Sequence, residues 1–209
     1  MKETDVVSAV ARYAEEVMGA EGFRYVSAVV ANCKMLALEM EGMGEYAGTI
    51  DMDALVIAGY LHDIATVEHG FQQHQVKSAE MAMAFLREHG AKGELITKVE
   101  QAILAHTTPA EERGTVPPES QVLYDADKLG RLSGLAVVTS LIEFGARYPN
   151  RAVTGDVLAA ILRHIEERFI ELYQSLYTTP AREMARDKFN RAVTFLDGVI
   201  EHLSDSTPV

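Results

Sequence analysis

Between residues 22 and 42, apolar residues recur every three or four positions. Tyr25, Val26, Val29, Val30, Cys33, Leu36, Ala37 and Met40 fall on one stripe, which predicts a helix with an inward face. A second apolar run, from Ala54 to Ala65, places Leu55, Ala58, Gly59 and His62 at i, i+3, i+4 and i+7, with Asp63 about 100° further round. It predicts a helix over about 52–65. Other helices are predicted at 4–18, capped by Thr4 or Asp5 and stopped by Gly19, and at about 74–89, 94–106 and 132–146. A short helix carries Val122 to Leu129. Two long amphipathic helices, about 156–177 and 180–203, close the chain, with Pro180 at the first helical position of the last. Polar or proline-rich loops are expected at 68–73 and 107–119, a turn at 147–155, and a frayed tail from Ser204 to Val209. There is no useful strand-like alternation and no internal repeat. The predicted class is all-α.

The 209 residues are 48% hydrophobic and 24% charged, which suits one globular domain spanning 1–209, with a core at about 20–146 and closing helices at about 156–203. A net charge of −12 argues against non-specific nucleic-acid binding. It leaves room for a nucleotide, because a metal ion can supply local positive charge. The single cysteine, Cys33, excludes an intrachain disulfide and fits a reducing, cytoplasmic setting. Mid-stripe, it reads as an inert core thiol. No signal peptide and no membrane span are expected.

His62 and Asp63 are polar groups on an apolar helix, so they either bind something or satisfy each other. His106 ends another apolar stripe, and Asp127 follows in an Asp125-Ala126-Asp127 cluster. A lone histidine on an apolar face is ordinarily a satisfied core residue. Imidazoles and carboxylates on the buried faces of separate helices are what a metal site in a bundle core requires. His69 and His89 read as solvated, His164 and His202 as surface or interhelical residues. The Glu166–Arg168 and Arg182–Arg186 runs read as solvated faces.

The order of an apolar helix ending in His62-Asp63, then His74, His106 and Ala126-Asp127-Lys128-Leu129, resembles the HD-domain superfamily of metal-dependent phosphohydrolases. Ile165 to Phe169, Leu176 to Arg182 and Phe195-Leu196 are similar to the closing helices of short, single-domain bacterial members, so the likeness spans roughly residues 20–200. It implies an HD-type helical bundle and a divalent metal (Mn, Fe, Co, Ni or Mg) held by His62, Asp63 and Asp127, with Asp125 as the alternative distal ligand. It implies that His74 and His106 contact a second metal or the substrate phosphate. The family's first histidine falls at Tyr25, in the register Tyr25, Val29, Cys33, Ala37, and no histidine precedes His62. A phenol with a reference pKa of about 10 is a poor ligand for a hard cation at neutral pH. The implied site is therefore either a three-ligand version, completed by water, His74 or His106, or one that has lost its metal.

The expected activity is hydrolysis of a small phosphate ester or nucleotide by a metal-bound water. Asp63, His74 and His106 are the expected catalytic groups, and Lys77, Lys128 and Tyr25 are candidate substrate contacts. A competing reading is a degenerate domain that binds a nucleotide or partner without turnover because of Tyr25. A third is a helical structural protein with a buried His–Asp hydrogen bond. The amphipathic closing helices offer faces on which two copies could pair.

Overall fold

The computed structural model describes residues 3–44, 50–108, 116–150, 152 and 154–205. Among them every regular element is a helix: α1 Glu3–Met43, α2 Met52–Leu61, α3 Thr66–His69, α4 His74–Glu88, α5 Gly93–Ala105, α6 Pro118–Arg131, α7 Gly134–Arg147, α8 Gly155–Gln174 and α9 Thr179–Asp205. No single described helix is long and apolar enough to cross a membrane. The chain clusters into two compact units, Met1–Asp127 and Lys128–Val209. The division falls inside α6, and α7 packs with α8 and α9.

In the first unit α1 contains both predicted helices, broken at Gly19, whose φ of 68° interrupts the helical geometry. α2 is the central element. Ala54 to Gly59 and Leu61 are all buried, so it is apolar all round, as a helix enclosed by others must be. It packs against α1 and α5, while α5 also packs against α4. Gly59 permits the close approach to α1: a Cβ there would stand 2.9 Å from Val30 Cγ2. Asp51 caps α2 by accepting from the Ala54 N–H at 3.1 Å, and its own N–H donates to Glu119 Oε1 at 2.8 Å. A column of rings, Tyr13 on Phe85 at 4.3 Å and Phe85 on His89 at 3.9 Å, joins α1 to α4. His89 is therefore half-buried in that stack, not solvated.

Several boundaries differ from expectation. α2 ends at Leu61, and residues 62–65 form a turn whose Ala65 N–H is held by Ser78 Oγ at 3.2 Å. Thr66 then opens the short α3, which runs into the loop expected from residue 68, and closes on the Asp63 carbonyl through both its N–H and its hydroxyl. Pro118 and Glu119 belong to α6, not to the preceding loop, as a proline in a first helical turn allows. Residues 109–115 of that loop, 151 and 153 of the turn, and 206–209 of the tail lie outside the described residues, whereas Ser204 and Asp205 continue α9.

In the second unit α8 packs on α9, with Tyr173 stacked on Phe189 at 4.4 Å. Thr178 Oγ1 accepts from the Ala181 N–H at 3.3 Å, so Thr179 takes the first helical position and Pro180 the second. Arg182 is not solvated as expected: its Nε and Nη2 donate to the Leu176 carbonyl at 3.1 and 2.7 Å. Glu166 lies against Asp197, and burial with that neighbour pushes its carboxyl up.

Two outcomes follow. Gly59→Ala is expected to lower stability by about 1–3 kcal/mol, because the added methyl overpacks the α1–α2 contact; a lower urea midpoint at unchanged slope checks it. At Asp51, burial opposes ionisation, but the Lys98 ammonium 2.8 Å away and the Ala54 N–H outweigh it and hold the carboxyl below its ordinary value. The stabilisation is complete above the unfolded-state value and is lost as pH falls through the lowered folded value, that is, below about pH 4. Asp51→Asn, which keeps the cap and loses the ion pair, should flatten the acid limb of the stability profile.

Candidate metal centre

The fold delivers three imidazoles to one carboxylate. His62 follows the last residue of α2, His74 opens α4, and His106 follows α5. Each ring bonds through Nδ1 to the carbonyl three residues earlier: His62 to Gly59 at 2.9 Å, His74 to Phe71 at 2.9 Å, His106 to Ile103 at 2.6 Å. A carbonyl only accepts, so Nδ1 carries the hydrogen in all three, and in the neutral ring Nε2 keeps its lone pair. The three Nε2 atoms face Asp63: His62 at 3.5 Å from Oδ2, and His74 and His106 at 3.3 and 3.9 Å from Oδ1. The Asp63 side chain is 7% exposed and those of His62, His106 and His74 are 0, 2 and 16% exposed.

This is a meeting of acceptors. Nε2 of His62 is fully buried and finds no hydrogen-bond partner among the described residues. Leaving such an atom unsatisfied costs about 1–3 kcal/mol. A shared proton would satisfy one pair; a divalent cation satisfies all the acceptors at once. Ligand atoms of His62, Asp63 and His106 all lie within 4.8 Å of one another. Metal bonds of about 2.0–2.2 Å place neighbouring donors roughly 3–4 Å apart, so these residues fit a cation. Their Nδ1–H bonds to carbonyls are the outer contacts that orient metal-binding histidines.

Asp127, the expected third ligand, is not in that group. It is buried on α6, and its Oδ1 accepts from the Tyr25 hydroxyl. Tyr25 is thus beside the centre, its ring 6.3 Å from that of His62, bound to the distal aspartate. Asp125 is buried two residues earlier, about 200° round the helix from Asp127. Cys33 is enclosed, and burial together with the Asp127 carboxylate pushes its thiol up, so it stays an unreactive core group. Lys77 lies half-buried one turn after His74 on α4, while Lys128 begins the second unit. His69 is exposed beside Glu68, and His164 and His202 are exposed. Sequence reasoning missed Asn32, whose Nδ2 donates to the Ala126 carbonyl at 3.1 Å; it shares the Tyr25 face of α1 at i+7, the available signal.

The HD domain family model matches residues 26–132, more than half of the 209-residue chain, and the chain belongs to the HD-domain family. Its fold matches that of the Lin1889 protein from Listeria innocua, at 15% identity over 98% of each chain with a TM-score of 0.71. It also matches an HD-superfamily hydrolase from Bacillus thuringiensis, at 16% identity over 99% of this chain and 100% of that one, TM-score 0.70. A third match is Bacillus subtilis YpgQ in complex with ADP, at 16% identity over 97% of each chain, TM-score 0.65. At these identities the likeness is one of fold. No curated protein matches the chain.

A cation that satisfies the buried acceptors stabilises the folded state by mass action, about 2.7 kcal/mol at a hundredfold excess over Kd. Added Mn2+ is therefore expected to raise the thermal midpoint of the natural protein and to leave that of His62→Ala unchanged.

Proposed function

We propose that the chain is a divalent-metal-dependent phosphohydrolase acting on a small phosphate ester or nucleotide. The observation that carries this reading is the convergence of three Nε2 acceptors on Asp63, that of His62 being buried and unpartnered. Membership of the HD-domain family supports it, and ADP in the YpgQ complex supports a nucleotide-like ligand.

His62, Asp63 and His106 would hold the cation, and neutral imidazoles with a hard carboxylate suit Mn, Fe, Co, Ni or Mg. When bound, such a cation lowers the pKa of water and offsets negative charge on phosphoryl oxygens. The chain's own groups do the remaining work. The Gly59, Phe71 and Ile103 carbonyls hold the three rings in one tautomer, so the site does not reorganise as charge develops. His74, the most exposed of the three, takes the substrate side, where its Nε2 can move a proton to or from the reacting oxygen. Asp63 orients the attacking water, and Lys77, one turn along α4, pairs with phosphate.

The test is a metal-supplemented assay over nucleoside mono-, di- and triphosphates and simple phosphate esters. Phosphate release that requires added metal is expected, with His74→Ala lowering kcat by about 10²–10⁴-fold while the bound metal is retained. Background rates across the whole panel, in protein that retains no metal, would overturn the proposal.

A further inference from the structure

The three imidazoles of the centre are unequally open. His62 and His106 are enclosed, so solvent reaches the group on the His74 side. Phe71 stands beside that opening, with its ring centroid 5.9 Å from that of His74 and the two planes at 76°. The residue is 72% exposed, yet its carbonyl accepts from His74 Nδ1 at 2.9 Å. One residue thus orients the imidazole through its backbone and holds an uncovered phenyl ring next to it. A single exposed apolar side chain ordinarily needs no explanation. Here the backbone is shaped around it. Gly70 before it has φ 65°, and Gln73 two residues after it has φ 53° and ψ 30°. A residue with a Cβ rarely adopts that left-handed conformation, and such conformations gather at ligand clamps. Phe71 and Gln72 are therefore bracketed by two positive-φ residues in the link between α3 and α4, and the ring they carry is left in water instead of being packed.

We infer that Phe71 is the surface on which a planar ring of the substrate stacks, so that this centre takes a nucleoside phosphate in preference to a phosphate ester without a ring. The two ends of such a molecule are held on either side of His74. Its phosphate lies at the buried acceptors and the cation they hold, and its base lies on the open phenyl face. Every base has a π-face, so an aromatic side chain binds the ring without reading which base it is. Selectivity at Phe71 is therefore for a ring as such. The contact is apolar, so it adds affinity without calling on charge, in a chain whose net charge of −12 opposes an anionic ligand everywhere except at the cation.

This inference rests on the phosphohydrolase reading, and a pair of ligands with and without a ring separates the two. ADP and inorganic pyrophosphate are titrated calorimetrically into the protein in the presence of Mn2+. Phe71→Leu is expected to weaken ADP by about tenfold or more relative to its effect on pyrophosphate, and Phe71→Tyr to restore ADP binding. A merely structural role, acting through the carbonyl on His74, would weaken both ligands alike. The chain contains no tryptophan, so Phe71→Trp also supplies a single indole reporter. Its emission is expected to be quenched by ADP and not by pyrophosphate. Equal losses for the two ligands in Phe71→Leu, an unchanged ADP affinity, or equal quenching by both ligands would overturn the inference and leave the phosphate centre standing. So would a natural chain that binds pyrophosphate but not ADP. A natural chain that binds neither would overturn both readings.

Discussion

Buried acceptors turned toward one another are the constraint on which the first unit depends. Asp63 and the Nε2 atoms of His62, His74 and His106 all present lone pairs to the same small volume, and water hardly reaches it. A core does not gather such groups for packing, since each gives up hydration on burial. The three Nδ1–H bonds to carbonyls leave the rings no other tautomer to adopt. Positive charge at its centre would relieve the arrangement, and His62, Asp63 and His106 are placed to hold it, which links fold to chemistry.

The packing that holds the arrangement is simple in kind. α2 is apolar on every side and is enclosed by α1 and α5, so its end, and with it His62-Asp63, has one position. Gly59 serves twice: its missing side chain admits Val30 of α1, and its carbonyl orients the His62 ring. The 62–65 turn is fixed by Ser78 of α4, the helix that begins with His74. Stability and site geometry thus share the same contacts, so a packing defect in α2 displaces a ligand as well as weakening the core.

Much of this was legible along the chain. The stripes on α1 and α5, the apolar α2, and the break at Gly19 follow from period and punctuation, because a helix repeats over many residues and averages local noise. Boundaries were less legible. α2 stops at Leu61 because Ser78 captures the Ala65 N–H, a contact between positions 13 apart that no local window shows. His89 reads as a loop residue until Phe85 and Tyr13 are seen stacked with it, and Arg182 reads as solvated until the Leu176 carbonyl is found in its reach.

The sequence by itself determined that the protein is all-α and that His62-Asp63 closes a buried helix. With the motif order, it also determined which family to expect. These are properties of spacing, and spacing survives in one dimension. The tertiary structure alone decided which distant groups meet. His106 joins His62 and Asp63 because α5 packs on α2, while Asp127 pairs with Tyr25 because α1 and α6 lie together there. Asp127 was the expected ligand and His106 the expected second-metal or phosphate contact; which donors lie together is decided by packing, and a metal ion responds to distance, not to order in sequence.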